Sequence, residues 1–395
     1  MVRSVAPGTR MSLAGVAVVG VAGLTIAASS GILLAFLWVI FCGGCALAIA
    51  RGAYAWAAEL TLSVGGIAIG LAAAARFSAQ NTQAWLGVFS LVAGILLLGT
   101  GMVHLLAGFR GWWRIPAALT SLLAVAVGVY VMAIPVAAVH SPRSPLAEDA
   151  PPGWTDVAFD TSDGVTLRGW FTPSRNGAGV VVVPGSGSNR TGADPQAREL
   201  ADEGYAVLVY DPRGHGESGG RAMEYGWAGD LDVTAAVDFL SAKVEAGRIG
   251  ALGLSMGGEQ VLGAAAQDSR IQAVVAEGAT NRVAGDFAWL SAQYGWRGTV
   301  QQALNVPRFT LLDVLSEQPA PTTLKESVAR IAPRPVLLIA AGNVSDEGYA
   351  TTAIATGSGH VQIWVTPGTG HTQALPAAPQ LWRETVLGFF DENLS

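Results

Sequence analysis

The chain has 395 residues, 51% of them hydrophobic and only 13% charged, with a formal net charge of −6. The charge is unevenly placed: residues 1–139 carry six arginines and one acid, Glu59, for a net of +5, whereas residues 140–395 carry 17 Lys and Arg against 28 Asp and Glu, for a net of −11. An acidic second half disfavours nucleic acid as a partner, because phosphate binding relies on an excess of Lys and Arg.

The first third is read as a membrane domain. Five apolar stretches, 11–28, 32–50, 54–75, 85–107 and 115–139, follow one another, most of them long enough for the roughly 20 residues that cross a bilayer as helix. Met1 to Ser29, with Arg3 and Arg10 ahead of an apolar run, also has the layout of a signal peptide, but the four later stretches keep the chain in the membrane either way. With five spans, Arg3, Arg10, Arg51, Arg110 and Arg114 fall on one side and Arg76 and Arg143 on the other. That bias sets the N-terminus in the cytoplasm and everything after residue 139 outside; a four-span count reverses the side. Glu59 and His104 are the polar exceptions, close to the cytoplasmic ends of their spans, where they can pair with each other or with Arg51. Cys42-Gly43-Gly44-Cys45 spells CxxC inside the second span, outside any βαβ context, and reads as small-residue helix packing. Both cysteines lie there, which leaves no disulfide for the rest of the chain.

Residues 140–154 contain Pro142, Pro145, Pro151 and Pro152 and read as a stiff linker. Beyond it the pattern changes to alternating strands and helices, a domain of residues 155–395. Val157 to Phe171 holds two alternating stretches around Asp163-Gly164, a hairpin signal at an antiparallel sheet edge. Strands are predicted at 179–183, 205–210, 248–254, 271–277, 335–340 and 361–365, and helices at 194–203, 226–243, 258–267 and 379–393. Such a rhythm implies an α/β fold, a mostly parallel sheet with helices on both faces and a site at the carboxyl ends of the strands. Residues 281–330 interrupt it with Phe287, Trp289, Tyr294, Trp296 and Phe309 among amphipathic pieces, as a helical cap would.

Three segments carry chemistry. Gly253-Leu254-Ser255-Met256-Gly257-Gly258 joins a predicted strand to a predicted helix, and its glycines allow a tight turn that exposes the Ser255 hydroxyl. The amide of Met256, at the helix N-terminus, is a candidate oxyanion donor, and Pro184-Gly185-Ser186-Gly187 after a valine strand offers a second from Ser186 or Gly187. His371, on the Pro367-Gly368-Thr369-Gly370 loop, is the candidate general base, with an ordinary pKa near 6.5 suited to proton shuttling. The loop after the predicted strand at 335–340 carries Asp346 and Glu347, and one of them is expected to orient His371. Glu277 is a substitute acid.

The order Ser255, Asp346 or Glu347, His371 is similar to that of the α/β-hydrolase superfamily, and the resemblance spans roughly residues 155–393. It includes Asp211-Pro212-Arg213-Gly214-His215-Gly216-Glu217-Ser218, which looks like the family's D-x-R-G-x-G-x-S loop. That loop is mainly structural in the family, so His215 is expected to brace it. The resemblance implies an α/β-hydrolase fold with a helical cap, and a serine hydrolase that cleaves an ester, thioester or amide through an acyl-enzyme. Esterase or lipase-like activity leads, peptidase activity is the alternative within the fold, and a non-catalytic binding or sensor module is the alternative outside enzymology. No cofactor and no metal are implied. The expected partners are a small-molecule or acyl-containing substrate and the lipid bilayer.

Overall fold

A computed structural model describes residues 7–30, 32–52, 54–74, 82–139, 143–221, 224–245 and 248–394; Arg3, Arg76, residue 75 of the third span and residues 140–142 of the linker lie outside them. Contacts divide the chain into two units, Met1–Pro142 with Pro307–Glu317, and Arg143–Val306 with Gln318–Ser395.

The first unit contains the helices α1 (Pro7–Ser30), α2 (Ile32–Arg51), α3 (Ala55–Ala74), α4 (Thr82–Ala107) and α5 (Arg114–Ala138). All five are long and apolar enough to cross a membrane. Small residues let α3 and α4 approach closely: a Cβ on Gly66 would stand 2.8 Å from Gly94 Cα. Glu59 of α3 is fully buried, and its carboxylate pairs with His104 Nδ1 of α4 at 2.7 Å and accepts the hydroxyl of Ser12 from α1. The pairing of Glu59 with His104 was one of the two legible in the sequence; Ser12, 47 residues away, was not. Cys45 is buried among Val16, Val19 and Ile49, and both cysteines are free.

The second unit is built on eight strands, β1 (Thr155–Asp160), β2 (Thr166–Thr172), β3 (Gly179–Val183), β4 (Ala206–Tyr210), β5 (Ile249–Leu254), β6 (Ile271–Glu277), β7 (Val336–Ala341) and β8 (Val361–Thr366). Their order is β1-β2-β4-β3-β5-β6-β7-β8, antiparallel at the β1-β2-β4 edge and parallel from there on. The first hairpin turns where Asp163-Gly164 indicated: Gly164 has φ +81° and donates its N–H to Thr161 O at 2.9 Å. Successive side chains of a strand point to opposite faces, so β3 sends Val181 and Val183 into one core and Val180 and Val182 into the other. The first core is closed by α7 (Gly229–Ser241) and α8 (Met256–Ala265), through Val233, Val237, Val261 and Leu262. The second is closed by α6 (Asp194–Glu203) and by the C-terminal helices, through Leu200, Trp382 and Phe390.

Four segments differ from the sequence reading. Leu324–Ile331 (α11), placed there within the cap, buries Leu324, Val328 and Ile331 in the first core, so it belongs to the sheet's helical layer. The cap region itself holds α9 (Trp289–Tyr294) and α10 (Trp296–Leu315), and Pro307 inside α10 is the residue at which the grouping passes to the first unit. Asp346 and Glu347, expected on a loop, stand in the first turn of α12 (Ser345–Ala355), where the N-terminal end of the helix dipole favours carboxylates. The C-terminal helix is broken by a π-helical stretch at Arg383–Leu387.

The proline-rich segment is held by specific bonds. Arg143 donates through Nη1 to Gly216 O at 3.1 Å and through Nη2 to Gly220 O at 3.2 Å, while Asn189 Nδ2 donates to Pro145 O at 2.8 Å. Leu146, Ala150 and Trp154 pack against the second core.

Candidate active site

Ser255 sits between β5 and α8 with φ 54° and ψ −121°, a conformation that costs energy for a residue with a side chain and is held here by its surroundings. Its N–H donates to Glu277 O at 2.7 Å. The glycines around it are required by contact: a Cβ at 253 would lie 2.2 Å from Gly257 O, and one at 257 would lie 2.4 Å from Val183 O. Strand β5, helix α8 and the end of β3 therefore meet with no room for a methyl group, and the serine hydroxyl is left at the carboxyl end of the sheet.

The hydroxyl meets His371. His371 Nε2 lies 2.8 Å from Ser255 Oγ, and Nδ1 of the same ring pairs with Glu347 Oε1. Glu347 is 3% exposed, and its second oxygen accepts the backbone N–H of Ala341 at 2.9 Å. Of the two adjacent acids, Glu347 points inward to the imidazole, whereas Asp346 is exposed and accepts the hydroxyl of Tyr294. A single helical step of about 100° separates the two directions.

The histidine loop is fastened from both ends. Thr369 donates its hydroxyl to Thr366 O at 2.8 Å, its carbonyl accepts Asn343 N–H at 3.0 Å, and Ala374 N–H donates to Glu277 Oε1 at 2.9 Å. Gly278 has φ +72°, and a Cβ there would come within 2.8 Å of His371 Cε1. Neither Gly278 nor the bracing role of Glu277 was read from the sequence; Glu277 stood out only as a substitute acid.

The electrostatics follow from this packing. The bond to Glu347 holds the His371 imidazole above its ordinary range against the opposing effect of burial, and the charges of Glu347, Glu277 and Glu259 add to the rise. Burial pushes the Glu277 carboxyl up to about 7, although the Ala374 N–H works the other way. Glu259 is likewise pushed up to about 7 by burial, while it accepts Thr280 N–H at 3.2 Å and Asn281 N–H at 3.0 Å.

The remaining sequence candidates fall beside this chain of bonds. Met256 is the first residue of α8, directly after Ser255. Ser186 and Gly187 lie in the turn after β3, and a Cβ on the neighbouring Gly185 would be 3.3 Å from Ser255 Cβ, so this turn runs against the serine. His215 is fully buried in the 211–218 loop, with Nδ1 3.4 Å from Arg213 O. A cavity of about 200 Å³ opens beside His371, with Asn281, Phe287, Trp289, Gln301 and Asp346 among its lining residues.

This sheet, with a serine on the turn after β5 and a histidine on the loop after β8, has the architecture of the α/β-hydrolase fold. More narrowly, residues 174–337 match the family model described as serine aminopeptidase, S33. The chain is 26% identical over 302 residues to PA2218, an uncharacterized protein of Pseudomonas aeruginosa, covering 60% of this chain and 80% of that one. It is 34% identical over 133 residues to the polyketide transferase grgF of a Penicillium species, covering 31% of this chain and 44% of the relative, so it spans less than half of that protein. The esterase Pf2001 of Pyrococcus furiosus shares the fold, with a TM-score of 0.51 and 23% identity over 64% of this chain and 98% of its own.

Proposed function

We propose that the chain is a membrane-tethered serine hydrolase that cleaves a carboxylic ester through an acyl-enzyme. The observation that carries this reading is the continuous chain of bonds from Ser255 Oγ to His371 Nε2 and from His371 Nδ1 to the buried Glu347. Ser255 Oγ attacks the carbonyl carbon while His371 Nε2 takes its proton, and the negative charge on the carbonyl oxygen is met by backbone N–H groups of Met256 and of Ser186 or Gly187. Collapse of the tetrahedral intermediate expels the alcohol, which receives that proton from His371. Water then adds to the acyl-enzyme by the same route in reverse, and the acid is released. Glu347 keeps the imidazole in the tautomer and orientation that both halves need, and stabilises the imidazolium formed between them.

The aminopeptidase description of the matched family model favours amide cleavage as the second reading, with the same residues in the same roles. A purely binding or sensing module has no use for a strained serine hydrogen-bonded to a carboxylate-oriented histidine, which weighs against that reading. The proposed organisation is a five-helix membrane domain over 1–139, a linker over 140–154 and the hydrolase domain from 155. The excess of arginine at the ends assigned to the cytoplasm supports an extracytoplasmic hydrolase domain at the cell membrane.

A fluorophosphonate probe tests the chemistry: wild-type protein is expected to label and Ser255→Ala to stay unlabelled, and equal labelling of the two refutes the proposal. A series of p-nitrophenyl esters of increasing chain length sorts the substrate. Protease digestion in sealed vesicles of known orientation reads the side.

A further inference from the structure

The first unit holds a recess that the hydrolase chemistry does not use. It has a volume of about 380 Å³, within the range of small-molecule sites, and is walled by residues of α1, α2, α3 and α5 together with Leu311, Val314 and Leu315 from the part of α10 that groups with this unit. Those three recur at i, i+3 and i+4, so one stripe of α10 forms the wall. One turn earlier Arg308 Nη1 donates to the Tyr130 hydroxyl of α5 at 3.3 Å, which fastens the stripe to the bundle.

An indole is wedged into the same wall. A Cβ on Gly23 of α1 would stand 2.3 Å from Trp38 Cζ2, and one on Gly65 of α3 would stand 3.6 Å from its Cη2, so the two glycines leave the room that the ring takes. Trp38 Nε1 donates to Gly20 O at 2.9 Å. Among the described residues that line the recess, that N–H is the only side-chain nitrogen or oxygen, and it is already bonded. Water has no partner in such a space, and a recess left unfilled forfeits the dispersion contacts of its walls.

The rim shows what can enter. Leu37 and Phe41 of α2 and Val314 of α10 line the recess and are 51, 40 and 49% exposed, whereas Ala27, Ile69 and Val136 of the same lining are buried. It therefore runs from a closed base to an open mouth. On α2 the mouth adjoins the exposed Leu33, Phe36 and Ile40, an apolar face that hydrocarbon chains cover once the helix crosses a bilayer. The lining comes from the second halves of α1, α3 and α5 and the first half of α2, which places the recess at the end of the bundle where α5 finishes.

We infer that this recess is a binding site for one acyl chain of a bilayer lipid, entered sideways from the leaflet in which α5 ends. Its occupancy is independent of the reading of Ser255 as the nucleophile.

The test uses the full-length protein in phosphatidylcholine vesicles, with a small fraction of the phosphatidylcholine carrying a diazirine on one acyl chain. After irradiation, adducts are located by mass spectrometry of the digested protein. A bound chain concentrates them on Leu34, Leu37, Phe41, Leu311 and Val314, whereas lipid that only bathes the surface labels Leu33, Phe36 and Ile40, at matching depth on α2, as heavily. A several-fold excess on the first set is expected, and its loss in Leu311→Trp and Val314→Trp, where an indole fills the recess from part-exposed positions. Equal labelling of the two sets in the wild type overturns the site, and that comparison decides by itself should the variants fail to fold. An excess that persists in folded variants overturns it too, as do cross-links between two copies through this face of α2 in place of lipid adducts.

Discussion

Glu277 is bonded to Ser255 through its backbone carbonyl, which accepts the serine N–H at 2.7 Å, and the same residue accepts Ala374 N–H on its side chain at 2.9 Å. One residue at the end of β6 thus ties the serine turn to the loop that carries His371. Its carboxyl is 3% exposed and is pushed by burial up to about 7, from an ordinary value near 4.5.

A folded-state pKa above the unfolded value means that the native state binds the proton more tightly, so stability is present at low pH and is lost as pH rises from about 4.5 through about 7. Glu277→Gln keeps an oxygen for the Ala374 N–H and removes the charge. It is expected to raise stability by about 3 kcal/mol at pH 8 and to leave it nearly unchanged at pH 4.5. Thermal melts of the two proteins across this range check it, and an equal shift at both ends counts against the assignment.

Exchanging the two adjacent acids for amides should separate their roles. Glu347→Gln removes the group that holds His371 above its ordinary pKa, so kcat is expected to fall by about 10³ to 10⁴ and the acid limb of any remaining activity to move to lower pH. The direction follows because the neutral imidazole is the base, and a lower pKa keeps it neutral further into acid. Asp346→Asn touches Tyr294 and not His371, and is expected to leave the acid limb where it is. Parallel pH–rate profiles of the two variants decide the matter.

Gly278→Ala puts a methyl group within 2.8 Å of the His371 ring at a backbone φ of +72°. The ring must shift, and misplacement by about 1 Å costs on the order of 100-fold in rate. A fall of that size in kcat/KM, with folding verified by circular dichroism, is the expected outcome. Wild-type activity would show that the loop yields without moving the imidazole.

The 211–218 loop is predicted to matter for stability. Arg190 and Asp211 are both fully buried; Arg190 Nε and Nη2 donate to the two Asp211 oxygens at 3.0 and 2.7 Å, and the guanidinium lies 5.2 Å from the Trp170 ring. Asp211 also accepts the N–H groups of Arg190 and Glu217. Asp211→Ala leaves a buried cation and two backbone donors without this partner, a loss of about 3 to 5 kcal/mol. A denaturant midpoint unchanged from wild type would contradict this.

Much of the scaffold was legible because its signals are local. Valine runs mark strands buried on both faces, Asp163-Gly164 marks a turn, and the apolar stretches before residue 139 mark helices that a bilayer can hold. Gly253 and Gly257 signalled a turn too tight for side chains, and the structure shows the backbone atoms that make it so. Two of the four differences have a physical reason in the residues themselves. Leu324–Ile331 shares its amphipathic pattern with cap helices, and only its packing under the sheet shows which surface it covers. The first turn of α12 reads as a loop in the sequence because its acids, which suit a helix N-terminus, are equally at home in turns.

Residue type and chain order alone carry the order of serine, acid and histidine, the strand that precedes each, and the division between an apolar N-terminal third and an acidic remainder. Those properties reside in residue type and chain order, which no folding step alters. Only the tertiary structure shows that Glu347 and not Asp346 faces His371, since neighbours one helical step apart point different ways and their direction depends on what β7, β8 and α9 bring alongside. It alone revealed Gly278 under the imidazole, Ser12 on Glu59, and the Tyr294 hydroxyl on Asp346, because contacts between residues tens of positions apart exist only once the chain is folded.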